Sequence, residues 1–143
     1  MSRGLNWTSL PKKYRKKSGS KKVYCPLEEV EQEKLAEYLD WNNYTWFHVP
    51  NEGKFKVQYL AKRARLGVKK GVPDNFICEP VRDKNGMPLY CGIVIELKRK
   101  EGGQTTPEQK AWLKTLEEKG WLTKVCRGAD EAIDFLEEIF EEG

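Results

Sequence analysis

Past Pro26 the chain alternates between helical and strand-like hydrophobic spacing. In 28–40, Val30, Leu35, Tyr38 and Leu39 fall near one helical stripe. Glu28, Glu29 and Glu31 occupy the first turn, where the helix dipole favours negative charge. Trp46, Phe47 and Val49 make a short strand, and Pro50, Asn51, Glu52 and Gly53 then turn the chain. A second helical pattern, 54–66, sets Val57, Leu60, Ala61 and Ala64 inward and stops at Gly67. An apolar strand follows Pro73 and Asp74, then a turn at 84–88 and a strongly hydrophobic strand inside 92–100. Thr106 with Gln109 fits a capping box, Pro107 takes the first helical position, and Gly120 follows the last turn. Ala111, Trp112 and Leu116 supply that helix's buried stripe. A strand at 121–126 and a helix at 130–141, with Ile133, Leu136 and Ile139 inward, complete the order: helix, strand, helix, strand, strand, helix, strand, helix.

Composition bounds what these elements can build. With 143 residues, 38% apolar and five tryptophans, the chain can bury one moderate core, so one domain is expected over 26–143 behind a basic arm at 1–25. No run is long enough to span a bilayer, and MSRGLNWTSLPKKYRKK lacks the apolar core of a signal peptide, which predicts a cytoplasmic protein. Cysteines 25, 78, 91 and 126 form no CxxC pair and sit mostly in strand-like apolar contexts. They read as buried thiols rather than zinc ligands or disulfides.

Charge is unevenly spread. The net charge is +4, yet residues 1–22 hold eight Lys or Arg and no acid, and the chain beyond Arg127 is purely acidic. The arm, with Trp7 and Tyr14 among its lysines, suits either a phosphate backbone or a solubilising end. Seven bases and no acid fall in 54–70, among them Lys62, Arg63, Lys69 and Lys70. This is either a solvated face or an approach for a nucleic-acid backbone. His48, the single histidine, sits on an apolar strand and by position alone reads as a core or hydrogen-bonded residue.

The candidate chemistry lies in GVPDNF, 71–76, and GIVIELKRK, 92–100. A strand shows alternate residues on one face, so Glu96 and Lys98 project together, ~6–7 Å apart along the strand, while Ile93, Ile95 and Leu97 point into a core. Pro73 cannot donate to a ladder and belongs at a strand start or bulge, which frees Asp74 to turn towards Glu96 in an exposed site. Two carboxylates and a backbone carbonyl such as that of Leu97 are hard oxygen donors of the kind Mg²⁺ and Mn²⁺ prefer. Lys98, beside them, can either accept a proton when neutral or position water and stabilise charge when protonated. Gln109 has two uses open to it, reciprocal cap or a polar group reaching the attacking water.

The order Pro-Asp, apolar strand, turn, hydrophobic strand, Glu-Leu-Lys resembles the PD-(D/E)xK nuclease superfamily. More narrowly, Glu28 with Gln32, FHVPNEG with His48 and Asn51, GVKKGVPD, IELK and the Gln109–Trp112 helix start make 26–140 similar to a stand-alone VRR-NUC domain. The resemblance implies an α/β (α+β) restriction-endonuclease-like core, a mixed central sheet flanked by helices. It implies a metal-dependent DNA endonuclease in which Glu28, Asp74 and Glu96 bind Mg²⁺ or Mn²⁺ and Lys98 and Gln109 assist the attacking water. Glu29 and Glu31 remain alternatives for the helix ligand. His48, Asn51, Lys62, Arg63, Lys69, Lys70, Arg99 and Lys100 are then the expected DNA contacts. Small viral members resemble homodimers that cut branched DNA such as four-way junctions, and a phage-encoded member works in the bacterial host cytoplasm. Neither an organic cofactor nor a membrane partner is implied. The competing readings are a single-strand, end or flap nuclease and a non-catalytic nucleic-acid-binding module.

Overall fold

The computed structural model describes residues 27–50 and 56–141. The basic arm, Cys25 and Asn51 lie outside them. The elements run α1 (Glu28–Trp41), β1 (Trp46–His48), α2 (Val57–Arg65), β2 (Asn75–Ile77), β3 (Val81–Arg82), β4 (Pro88–Tyr90), β5 (Gly92–Lys98), α3 (Pro107–Glu118), β6 (Trp121–Arg127) and α4 (Ala129–Glu141).

Four strands form the main sheet in the order β1-β2-β5-β6. β1 and β2 pair antiparallel, as do β2 and β5, whereas β5 and β6 are parallel from Gly92↔Trp121 to Lys98↔Arg127. A parallel neighbour requires a crossover connection, and α3 supplies it. β5 is buried along its whole length, as the near-continuous run GIVIELK foretells for a strand covered on both faces. Its odd-numbered residues Ile93, Ile95 and Leu97 join Ile77, Cys126, Leu35, Leu39 and Leu136 in the core under α1 and α4. The even-numbered positions Gly92, Val94, Glu96 and Lys98 therefore face the opposite side.

Three expectations are corrected. The stripe Val57, Leu60, Ala61 and Ala64 does not point inward: α2 buries no residue, and Val57 is 81% exposed. The helical period is present, but no sheet face lies beneath it, so its amphipathic pattern records a surface rather than a core contact. α3 likewise buries no residue fully; Trp112, Leu113 and Leu116 are half-buried and Ala111 is exposed. Of the described cysteines only Cys126 is buried, its thiol pushed up to about 12 by burial and then by the Glu131 charge, while Cys78 and Cys91 are exposed free thiols at strand ends. The sequence reading places a turn at 84–88 but not the β3–β4 hairpin built around it. Its turn is built by Asp83, whose Oδ1 accepts the Asn85 and Met87 N–H groups at 2.8 and 2.9 Å. Among the described residues no helix is long and apolar enough to cross a membrane.

Candidate active site

The β2–β5 register carries Asp74 to the position opposite Glu96, because Asn75 already pairs with Ile95. The two are latched. The Asp74 N–H donates to Glu96 Oε2 at 3.1 Å, and the Leu97 N–H donates to Asp74 Oδ2 at 3.1 Å. Buried Pro73, with no N–H of its own, precedes this latch. Lys98 Nζ stands 3.2 Å from Glu96 Oε1. The site is not exposed as expected: Asp74, Glu96 and Lys98 are 7%, 1% and 8% exposed. Glu96 and Lys98 lie on a central strand with Asp74 beside it, and the first turn of α3 closes over them through Gln109.

Gln109 serves both of its uses at once. Its Oε1 accepts the Thr106 N–H at 2.9 Å and Lys98 Nζ at 3.1 Å, and its Nε2 donates to Glu96 Oε1 at 2.8 Å. Its own N–H donates to Thr106 Oγ1 at 3.2 Å, closing the capping box. A flipped amide would face oxygen with oxygen and nitrogen with nitrogen, so the cap fixes which end meets the carboxylate. Gly71, at φ +82°, allows the preceding loop against this turn: a Cβ there would stand 2.7 Å from Glu108 Cβ. Trp112 Nε1 donates to the Lys70 carbonyl at 3.1 Å and holds the same loop.

Glu28, Asp74, Glu96, Lys98, Gln109 and Lys70 line one cleft of about 250 Å³. Burial pushes the Glu96 carboxyl above the usual range. The Lys98 charge and hydrogen bond and the Asp74 N–H pull it back, and the Glu28 charge raises it further. Two carboxylates repelling each other across a cleft, with a third beside them, are an oxygen donor set that a hard divalent cation would relieve. Among the described residues no group of three or more His, Cys, Asp and Glu side chains is gathered closely enough to hold a metal ion on its own.

The helix acids separate by geometry. Glu28 lines the cleft. Glu29 lines an adjoining recess of about 100 Å³ with Glu28, Gln32, His48 and Asp74. Glu31 is 1% exposed and accepts the Ala129 N–H at the start of α4, away from the cleft. His48 is exposed rather than in the core, because β1 is the sheet edge. Lys62, Arg63 and Lys69 do not line the cleft, and neither do Arg99 and Lys100. Lys100 Nζ instead stands 3.8 Å from Asp130 Oδ2. Two residues, Asn75 and Arg127, escape the sequence reading. Gln32 and the fully buried Asn75 exchange amide hydrogen bonds of 2.8 and 3.0 Å, fixing α1 beside Asp74. Arg127 donates to the Arg99, Gly102 and Gly103 carbonyls, pinning the loop after β5. A polar residue directly after Pro-Asp was the only signal for the first.

A mixed sheet between helices, with Pro73-Asp74 latched to Glu96-Leu97-Lys98, is the arrangement of the PD-(D/E)xK nuclease class. The VRR-NUC domain matches residues 27–130, and the chain belongs to that family, which carries a nuclease fold. A solved structure described as a VRR_NUC domain protein is similar at a TM-score of 0.62 and 25% identity, over 81% of this chain and 89% of that one. Comparison with curated proteins found no match.

Proposed function

We propose that the chain is a Mg²⁺- or Mn²⁺-dependent endodeoxyribonuclease that hydrolyses phosphodiester bonds in branched DNA. The observation that carries this reading is the wiring of Asp74, Glu96, Lys98 and Gln109 in one cleft that also holds Glu28. Glu28, Asp74, Glu96 and the Leu97 carbonyl would hold the cation, which when bound supplies charge neutralisation at the phosphate and a more acidic attacking water. The chain's own groups do the rest. Lys98, paired with Glu96 and donating to Gln109, is placed to position water and stabilise the negative charge developing on the phosphate. Gln109 keeps Glu96 and Lys98 in register by touching both. Lys70 adds a cation for the phosphate at the cleft.

Four-way junctions are the preferred substrate in this reading, cut by a homodimer. A two-fold dimer holds two centres at a fixed separation that only branched or bent DNA fills. Apolar surface of the kind a dimer buries is available at Val57, Leu60, Met87 and Leu89. Asp74→Asn and Glu96→Gln should each abolish Mn²⁺-dependent cleavage while the circular dichroism spectrum stays that of the folded protein. Wild-type cutting that persists in excess EDTA, or a near-normal rate in either variant, removes the metal-nuclease reading.

A further inference from the structure

An aromatic row crosses the same face of the sheet as the carboxylates. Asp74 and Phe76 alternate on β2, and the register Phe47↔Phe76↔Val94 continues that face on to β1 and to the Glu96 side of β5. The Phe47 and Phe76 rings are parallel within 1° at 5.2 Å, and Trp121 meets Phe76 edge-on at 5.6 Å. Trp121 reaches Phe76 by lying over Gly92, where a Cβ would stand 2.5 Å from its ring. Phe76 thus lies one strand repeat, ~7 Å, from Asp74, with Phe47 one strand farther towards the edge. α3 packs on β6. At the β1 edge Phe47 remains 51% exposed. Edge strands are ordinarily blunted with charge or covered; this one presents a flat ring, already backed by a second, just before Val49, whose N–H donates at 2.7 Å to the carbonyl of Asp74 in the cleft that contains Lys70 and Lys98.

We infer that Phe47 is a stacking platform for an unpaired nucleobase of the strand whose phosphate lies at Asp74 and Glu96. The inference rests on the nuclease reading for the location of that phosphate. Every base has a π-face that can extend the Phe76–Phe47 stack, whereas a paired base in continuous duplex has both faces occupied. The platform would therefore favour DNA frayed at a branch point or single-stranded beside the cut.

The test uses the full chain in EDTA with a short single-stranded oligonucleotide carrying 2-aminopurine within two nucleotides of the bond that the Mn²⁺-loaded enzyme cuts. Wild type should quench the 2-aminopurine, and an abasic site at that position should weaken binding by about tenfold, the scale of one stacked base. Phe47→Ala should lose the quench and the same affinity, while Phe47→Tyr keeps both. The abasic arm needs no variant, so it stands even if Phe47→Ala fails to fold. Equal affinity for intact and abasic strands, or a Phe47→Ala that changes the oligomeric state but not DNA binding, overturns the platform. If Mn²⁺-dependent cleavage persists in that case, the nuclease reading survives it. Quenching by a wild type that cuts nothing at any metal concentration, with the 2-aminopurine placed at successive positions, would instead keep the platform and remove the nuclease.

Discussion

Glu96 must be ionised to hold a cation, yet burial first, and Glu28 in addition, push its carboxyl above the usual range. A carboxylate raised in the folded state binds more protons there than in the unfolded chain between the two values, so stability falls as pH rises through that window. The cost begins near the ordinary carboxylate range and is complete above the folded-state value. Glu96→Gln should consequently gain in Tm relative to wild type as pH rises above the ordinary carboxylate range, read by thermal melts of both proteins at successive pH values. Added Mn²⁺ should shrink the difference by stabilising ionised Glu96 in wild type alone. Lys98→Ala is expected to lower kcat by about a hundredfold, as for other positioned charge-stabilising groups, with DNA affinity in EDTA little changed. A kcat within a few-fold of wild type would leave Lys98 a structural partner of Glu96.

At the scale of single elements, α3 separates helix stability from chemistry. Glutamate at the third position would complete the Thr106 capping box as well as glutamine does, and its charge would suit the helix start. It would also set a carboxylate where Gln109 Nε2 now donates to Glu96 at 2.8 Å. Gln109→Glu should therefore keep the helix cap yet lower both the melting temperature and, by about tenfold or more, the activity through like-charge repulsion in a buried site. Thr106→Ala should lower stability by about 1 kcal/mol. Parallel thermal melts and cleavage rates check both. The capping box, the β5 alternation and the Asp74–Glu96–Lys98 grouping were all legible in the sequence, because each depends on local spacing or a single strand pairing. The depth of burial at the site was not, since it depends on the strands either side of β5 and on the α3 start closing over it through Gln109. The direction of α2 was equally hidden: a 3.6-residue period states that a helix has an apolar side, not that a partner stands opposite it. Glu28, Glu29 and Glu31 could not be told apart from their order, and only the approach of the α4 start to Glu31 and the place of Glu28 in the cleft with Glu96 and Lys98 separate them.

Viewed as a whole molecule, the domain carries an uneven field, with bases concentrated in 54–70 and acids beyond Arg127. Basic surface raises affinity for any DNA and selects none, so preference for a branch has to come from shape and from the spacing of two centres. Matched four-way junction, flap, single-stranded and duplex substrates, cut in competition with light scattering on the same sample, should show a dimer that nicks junctions at paired positions. A monomer cutting flaps or single strands at least as fast would keep the chemistry and overturn the junction preference.

The groups at the cleft come from positions 28, 74, 96, 98 and 109, and the chain must still add β6 and α4 before the sheet and α1 are held in place. Such long-range pairings close slowly, because loop entropy is spent before any contact offsets it. During synthesis, every one of these side chains has emerged while β6, the parallel partner of β5, and α4, which clasps Glu31, are still missing. Under the proposed function the growing chain thus carries the groups assigned to cutting in an unassembled state, and competence arrives only with α4.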